Sequence, residues 1–243
     1  MLTYKMITHV GNREHNEDSL ACTESGGNYC FVVADGLGGH GRGELASKKA
    51  TEVIAREFSQ GAKNSFDFLN KSLSAAQSEI LDMQQAMNDR LGMKTTAVCL
   101  SIIDGKCQWG HIGDSRLYIF KKNKIIYRTL DHSVPQMLAL SGEIKDKHIP
   151  THPDRNRLLR VMGVEWDSPR YEISDEELPL ADCQAFLLCT DGFWELIDPK
   201  KMCRFLKKSG SAEEWLSKMI AEVEKNGQGN DMDNYTAIAV LAT

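Results

Sequence analysis

Phe31-Val32-Val33-Ala34-Asp35-Gly36-Leu37-Gly38-Gly39-His40 is the stretch from which the rest of the chain can be read. It opens as an unbroken apolar run, the pattern of a buried strand. The run ends in a carboxylate, Asp35, followed by backbone that is almost free of side chains. The same arrangement recurs far along the chain, in Asn16-Glu17-Asp18, Gly113-Asp114-Ser115-Arg116, Thr190-Asp191-Gly192 and Asp233-Asn234. Several of these again close an apolar, strand-like run. Carboxylates gathered in one place repel one another unless something positive neutralises them. A cluster of hard divalent cations held by oxygen ligands answers that need.

The composition narrows the field. The chain has 243 residues, 42% of them hydrophobic, enough to bury a sizeable core. Its net charge of −5 argues against a nucleic-acid partner. The seven cysteines are Cys22, Cys30, Cys99, Cys107, Cys183, Cys189 and Cys203. They are odd in number, none are spaced C-x-x-C, and most sit in apolar runs. They read as free buried thiols in a reducing cytosol, not as a zinc site. No cysteine is followed six residues later by arginine, so a cysteine-based phosphatase loop is absent. There is no apolar signal core at the N-terminus, and every apolar run is shorter than the roughly 20 residues of a membrane helix. The expectation is a cytoplasmic protein, a monomer, without a membrane partner.

Outward from Asp35, residues 19–24 and 29–35 read as a hairpin around Ser25-Gly26-Gly27-Asn28. Residues 4–10 suit an edge strand. A helix is predicted from Gly43 to about Phe58. A second carries Leu69, Leu73, Ala76, Ile80, Met83 and Met87 at helical spacing, a stripe for core packing. Thr95–Ile103, Lys106–Ile112, Arg116–Lys121 and Lys124–Thr129 look like an antiparallel meander. Residues 133–168, broken by Pro135, Gly142, Pro150 and Pro153, read as a helix, a mobile loop and another helix. Strands return at 170–173 and 185–189, then helices at 199–207 and 212–225, and a last strand at 234–241. No repeat or linker divides the chain. The order is α+β, not alternating βαβ.

Gly36-Leu37-Gly38-Gly39-His40-Gly41 also fits the G-x-G-x-x-G of dinucleotide-binding folds. That fold needs a second parallel strand ending in an acid about 20 residues on. Here residues 51–60 continue a helix. The glycines are better explained by a sharp turn and close backbone approach to a cation.

Taken together, the motifs resemble the metal-dependent Ser/Thr protein phosphatases of the PPM family, also called type 2C, in their compact bacterial form. The resemblance runs through Arg13-x-x-Asn16-Glu17-Asp18, Asp35-Gly36-Leu37-Gly38-Gly39-His40, Thr95-Thr96, His111-x-Gly113-Asp114-Ser115-Arg116, Asp131-His132-Ser133, His152-Pro153-x-Arg155-Asn156, Cys189-Thr190-Asp191-Gly192 and Asp233-Asn234-x-Thr236. A lone D-G or D-N means little; the whole set, in order from end to end, is specific. The resemblance implies a single domain over 1–243, an αββα sandwich of two antiparallel sheets flanked by helix pairs, with a flap at about 135–165. It implies two Mn²⁺ or Mg²⁺ ions with Asp35 between them, ligated also by the Gly36 carbonyl, Asp191 and Asp233. Glu17 and Asp18 hold metal-bound waters. Arg13 clamps phosphate, since guanidinium matches its oxygens with paired donors. Two cations about 3.5–4 Å apart activate a water for in-line attack.

Asp114 is read two ways: as a ligand of a third metal, or as a buried partner of Arg116. His40, His111 and His132 are read as structural. Leu37 stands where some relatives carry a histidine that acts as general acid, so the leaving-group proton must come from elsewhere. Lys94 replaces the usual glycine before Thr95-Thr96, a pair expected to pack in the core. The implied activity is hydrolysis of phosphoserine and phosphothreonine in proteins, opposing a Ser/Thr kinase. Two alternatives remain: a non-catalytic phosphoprotein-binding regulator, which would be expected to lose one of Asp35, Asp191 or Asp233, and a small phosphomonoester hydrolase.

Overall fold

The structure is a computed structural model that describes residues 2–38, 42–89, 92–229 and 231–242. His40, with Gly39 and Gly41, lies outside the described residues. The chain opens with β1 (Leu2–His9) and the hairpin β2 (Asp18–Ser25) and β3 (Asn28–Leu37). Gly26 and Gly27 close that hairpin at φ +59° and +82°. Two helices follow, α1 (Arg42–Ser59) and α2 (Ser65–Ala86); the Asn64 side chain caps α2 by accepting from the Asp67 N–H. Next come β4 (Lys94–Thr95), β5 (Ala97–Ile103), β6 (Lys106–Ile112), β7 (Arg116–Lys121) and β8 (Lys124–Arg128). After α3 (Val134–Leu140) come the short strands β9 (Glu172–Ile173) and β10 (Leu178–Pro179). The chain finishes with β11 (Ala185–Cys189), α4 (Asp191–Trp194), α5 (Pro199–Lys207), α6 (Ala212–Gly227) and β12 (Tyr235–Ala242).

Among the described residues the strands form two antiparallel sheets. One runs β1-β12-β11-β7-β8; the other runs β10-β6-β5-β3-β2, with β4 and β9 attached to β3 and β6. Successive side chains of β3 point to opposite faces. Phe31 and Val33 meet Leu100, Trp109, Phe186 and Leu188 between the sheets. Val32 and Ala34 meet Val53, Ile54, Leu69 and Leu73 of α1 and α2. Both faces of β3 are covered, which is why its sequence is continuously apolar. On the far side, Met202, Trp215 and Met219 of α5 and α6 cover Tyr118, Phe120 and Leu187. The layers are helices, sheet, sheet, helices, as expected.

Two elements differ from expectation. Residues 95–129 are not one meander. β5–β6 and β7–β8 are hairpins in different sheets, and β6 and β7 are not neighbours. The chain crosses between layers at Gly113-Asp114-Ser115, where Gly113 has φ +92°. Short β-branched runs look alike in either arrangement; the faces they bury decide the sheet. The second helix expected within 133–168 does not form. After α3 there is a 3₁₀ turn at Asp146–Thr151, then irregular chain. Pro150 and Pro153 lack the N–H that a longer helix needs, and His152, before Pro153, is extended at φ −71°, ψ 141°. Single bridges, Ser133 to Leu158 and Thr95 to Met162, tie this segment down.

Candidate functional site

In β2 and β3, Asp18 lies directly opposite Asp35. Like charges facing each other across a ladder destabilise a sheet. The neighbouring strands add to the conflict. Asp191 follows β11, Asp233 stands two residues before β12, and Asp114 sits at the crossing between sheets. Arg13, Glu17, Asp35, Gly36, Asp114, Asp191 and Asp233 line one cavity of about 580 Å³. Asp18 lies beside it, 8% exposed.

The electrostatics register the crowding. Burial pushes the Asp18 carboxyl up to about 8, and Asp191 and Asp233 add to it; hydrogen bonds from Thr236 and Thr190 act the other way. Burial, then the charges of Asp191, Asp18 and Asp114, hold Asp35 well above the usual carboxylate range. Burial and Asp233 push Asp191 up to about 6. Burial raises Glu17, and its Oε1 has no hydrogen-bond partner although it is buried. Every donor here is an oxygen, the negative charges outnumber the positive ones, and one buried oxygen is orphaned. The set fits hard divalent cations.

The backbone holds the cluster rigidly. The Asp35 N–H donates to Thr96 Oγ1 at 2.9 Å, and the Asp35 carbonyl accepts from Thr95 Oγ1 and the Thr96 N–H. Thr95 and Thr96 are fully buried, which accounts for that pair in the sequence. A Cβ on Gly36 would stand 2.2 Å from the Gly43 carbonyl oxygen. The glycine therefore also serves close packing of α1 against β3.

Arg13 sits at the rim, with Nη2 2.9 Å from Asp233 Oδ2. Arg116 does not pair with Asp114. It makes two hydrogen bonds to Asp131, at 2.7 and 2.6 Å, and stacks 3.3 Å over Trp194. The hairpin β7–β8 brings Asp131 to Arg116, whereas Asp114 is held through its backbone by Trp194 Nε1. The Asp114 side chain is raised well above the carboxylate range by burial and by Asp191 and Asp131, with Arg116 opposing. His111 and His132 stack on each other at 4.7 Å, away from the cavity lining. His111 bonds the Leu130 carbonyl, and His132 Nδ1 accepts from the Gly113 N–H. The seven cysteines are free.

Sequence reasoning gave no role to Asn234 or Thr190, and both organise the cluster. Asn234 Oδ1 accepts from the Glu17 N–H, while its Nδ2 donates to the carbonyls of Val10 and His15. Thr190 Oγ1 donates to Asp18 Oδ2. Their places inside the Thr190-Asp191 and Asp233-Asn234 pairs were the available signal. Asn12, His15, Asn156 and Asp231 also line the cavity.

Known proteins resemble this chain in sequence and fold. The serine/threonine phosphatase stp of Listeria welshimeri is 30% identical over 234 residues, covering 94% of this chain and 90% of that protein. The crystal structure of the serine/threonine phosphatase Stp1 from Staphylococcus aureus superposes with a TM-score of 0.87 at 27% identity, covering 100% of this chain and 96% of the other. The catalytic domain of the phosphatase PstP, solved with 2 manganese ions, shares the fold at a TM-score of 0.81 and 24% identity, covering 99% and 97%. Residues 7–234 match the family described as protein phosphatase 2C, and the chain belongs to that family.

Proposed function

We propose that this chain is a metal-dependent phosphatase that hydrolyses phosphoserine and phosphothreonine in proteins. The observation that carries the reading is the pair of buried Asp18 and half-buried Asp35, with Asp191 and Asp233 around one cavity. A fold does not hold such a cluster for stability. Asp35, the Gly36 carbonyl, Asp191 and Asp233 would hold two Mn²⁺ or Mg²⁺ ions. Glu17 and Asp18 would accept hydrogen bonds from waters around them, and Asp114 would hold a third. When bound, such ions lower the pKa of a water and neutralise charge on phosphoryl oxygens.

The protein's own residues supply the rest. Arg13, whose guanidinium stands at the rim beside Asp233, would turn its paired donors to the phosphate oxygens. Asn234 keeps the Glu17 loop against Asp233. Leu37 offers no proton to the leaving alkoxide, so that proton comes from water. The segment 135–165 acts as a flap beside the cavity and shapes substrate choice. No described helix is long and apolar enough to cross a membrane. We place the enzyme in the cytoplasm as a monomer that opposes a Ser/Thr kinase, without nucleic-acid or membrane partners.

The test is initial-rate hydrolysis of a phosphothreonine peptide with Mn²⁺, with Mg²⁺ and with chelator, beside Asp191→Asn. Phosphate release that depends on metal and is lost in the variant supports the reading. Folded protein that releases none with any metal overturns it. In that case the regulator reading stands, although Asp35, Asp191 and Asp233 are all present. Turnover of small esters but not of the peptide would instead favour a phosphomonoester hydrolase.

A further inference from the structure

Helix α5 carries a basic stripe that nothing in the cavity chemistry uses. Lys200, Arg204, Lys207 and Lys208 fall at positions i, i+4, i+7 and i+8 and are all exposed. Met202 and Leu206, on the opposite side, are buried in the core. Lys201 points away and is paired with Glu222. The four stripe cations have no ion-pair partner among the described residues. α5 packs on β8, where Ile125 joins the same apolar cluster. All this positive charge sits on a chain of net charge −5.

The stripe starts at the edge of a groove. Lys200 lines a cavity of about 590 Å³ together with Lys147, Pro150 and Ile197. Of the acids that also line it, Asp146 and Glu195 are already paired with Arg128 and Arg155, and Asp198 caps α5 by accepting from the Lys200 N–H. The groove's exposed surface is more apolar than polar, unlike that of the acidic cavity. Neighbours in sequence divide between the two cavities, and an ion pair, Arg155 Nε to Glu195 Oε2 at 3.2 Å, joins the two segments involved. Asn156 and Asp191 face the acidic cavity; Thr151 and Glu195 face the groove.

We propose that the α5 stripe and this groove form a docking site for an acidic polypeptide segment that carries a large apolar side chain. The side chain enters the groove against Ile197 and Pro150, and the acidic residues run along Lys200, Arg204 and Lys207. Charge complementarity selects the partner, and the apolar floor explains why a peptide is favoured over a smooth anionic surface. The site deepens the function proposed above and rests on it for its consequence: a substrate is held by a segment remote from its phosphorylated residue.

The test separates docking from chemistry. Binding of a fluorescent, unphosphorylated Asp/Glu-rich peptide with a central Leu is measured by polarisation in chelator, for wild type and for Lys200→Ser/Arg204→Ser/Lys207→Ser. Turnover of p-nitrophenyl phosphate with Mn²⁺ is measured on the same proteins. Wild-type binding that weakens with salt, and about a tenfold rise in Kd in the variant at unchanged melting temperature, supports the site. In a phosphopeptide carrying the acidic segment, KM then rises in the variant while kcat and small-ester turnover stay unchanged. No peptide binding by wild type, or equal Kd in the variant, overturns the proposal. Wild type that binds phosphatidylserine vesicles or DNA but not the peptide also overturns it and reassigns the stripe. Absence of turnover of both the small ester and the phosphopeptide sinks the phosphatase reading alone, because the binding arm needs no catalysis.

Discussion

Asp35 illustrates how far a single residue can be held against its own preference. Its carboxylate faces Asp18 across the ladder and is raised by burial and by three further acids. Replacing it by Asn removes charge without removing volume. In chelator, Asp35→Asn is therefore expected to stabilise the protein by about 1–2 kcal/mol in urea unfolding. With Mn²⁺ the same variant is expected to lose about 10³-fold in phosphopeptide kcat. A variant that is both less stable and fully active would contradict the account of the cluster. Arg116 presents the opposite case. Its side chain is 6% exposed and that of Asp131 1% exposed, and each satisfies the other. Asp131→Ala leaves a buried guanidinium unpaired and should cost about 3–5 kcal/mol in urea unfolding. The sequence offered Asp114 as the nearer candidate for Arg116. The true partner is supplied by the β7–β8 hairpin, and that pairing depends on a sheet assignment that composition does not carry.

Among the elements, α2 does more than its apolar stripe announced. Gln84 Nε2 donates to the Met93 and Gly163 carbonyls at 2.6 and 2.8 Å. Gln77 accepts from the Gly163 N–H and donates to the Val164 carbonyl. The helix thus anchors the return of the irregular segment just where Gly163 turns at φ +83°. Gln84→Ala should cost about 1–3 kcal/mol, because two buried carbonyls lose their donor. Hydrogen exchange should quicken around 160–166 and stay unchanged in β3 and β5. The helix was legible because its core contacts repeat every three or four residues. Its glutamines were not, because their partners at Gly163 and Val164 lie some eighty positions away in chain with no periodicity. The irregular segment was misread for a related reason. Its prolines and Gly142 were visible as breaks, but the chain beyond them is held by single bridges to residues far away in sequence, which no local pattern announces. By contrast, Asp35, Asp191 and Asp233 stood out, since an acid at the end of an apolar run has little reason to be there unless something binds it.

At the scale of the whole molecule, the cluster makes stability depend on pH. Asp18 rises from an ordinary 3.8 to about 8 on folding, and Asp35 and Asp114 rise as well. The folded chain then binds more protons than the unfolded one between those values, so stability falls as pH rises. In chelator the melting temperature should decline from about pH 4 to about pH 8. Cations compete with those protons, so the gain in melting temperature on adding Mn²⁺ should widen over the same window. A gain that does not change with pH would mean that the metals bind elsewhere. The topology carries a consequence for synthesis. β1 pairs with β12 along its whole length, from Leu2 opposite Ala242 to His9 opposite Tyr235. On a ribosome the first strand must therefore wait, unpaired, for the last to emerge. Until it does, the acidic cavity lacks Asp233 and the loop of Glu17 lacks Asn234. The nascent domain thus carries β1 to β11 before it can assemble the cavity, and it becomes competent in one step, when β12 closes on β1.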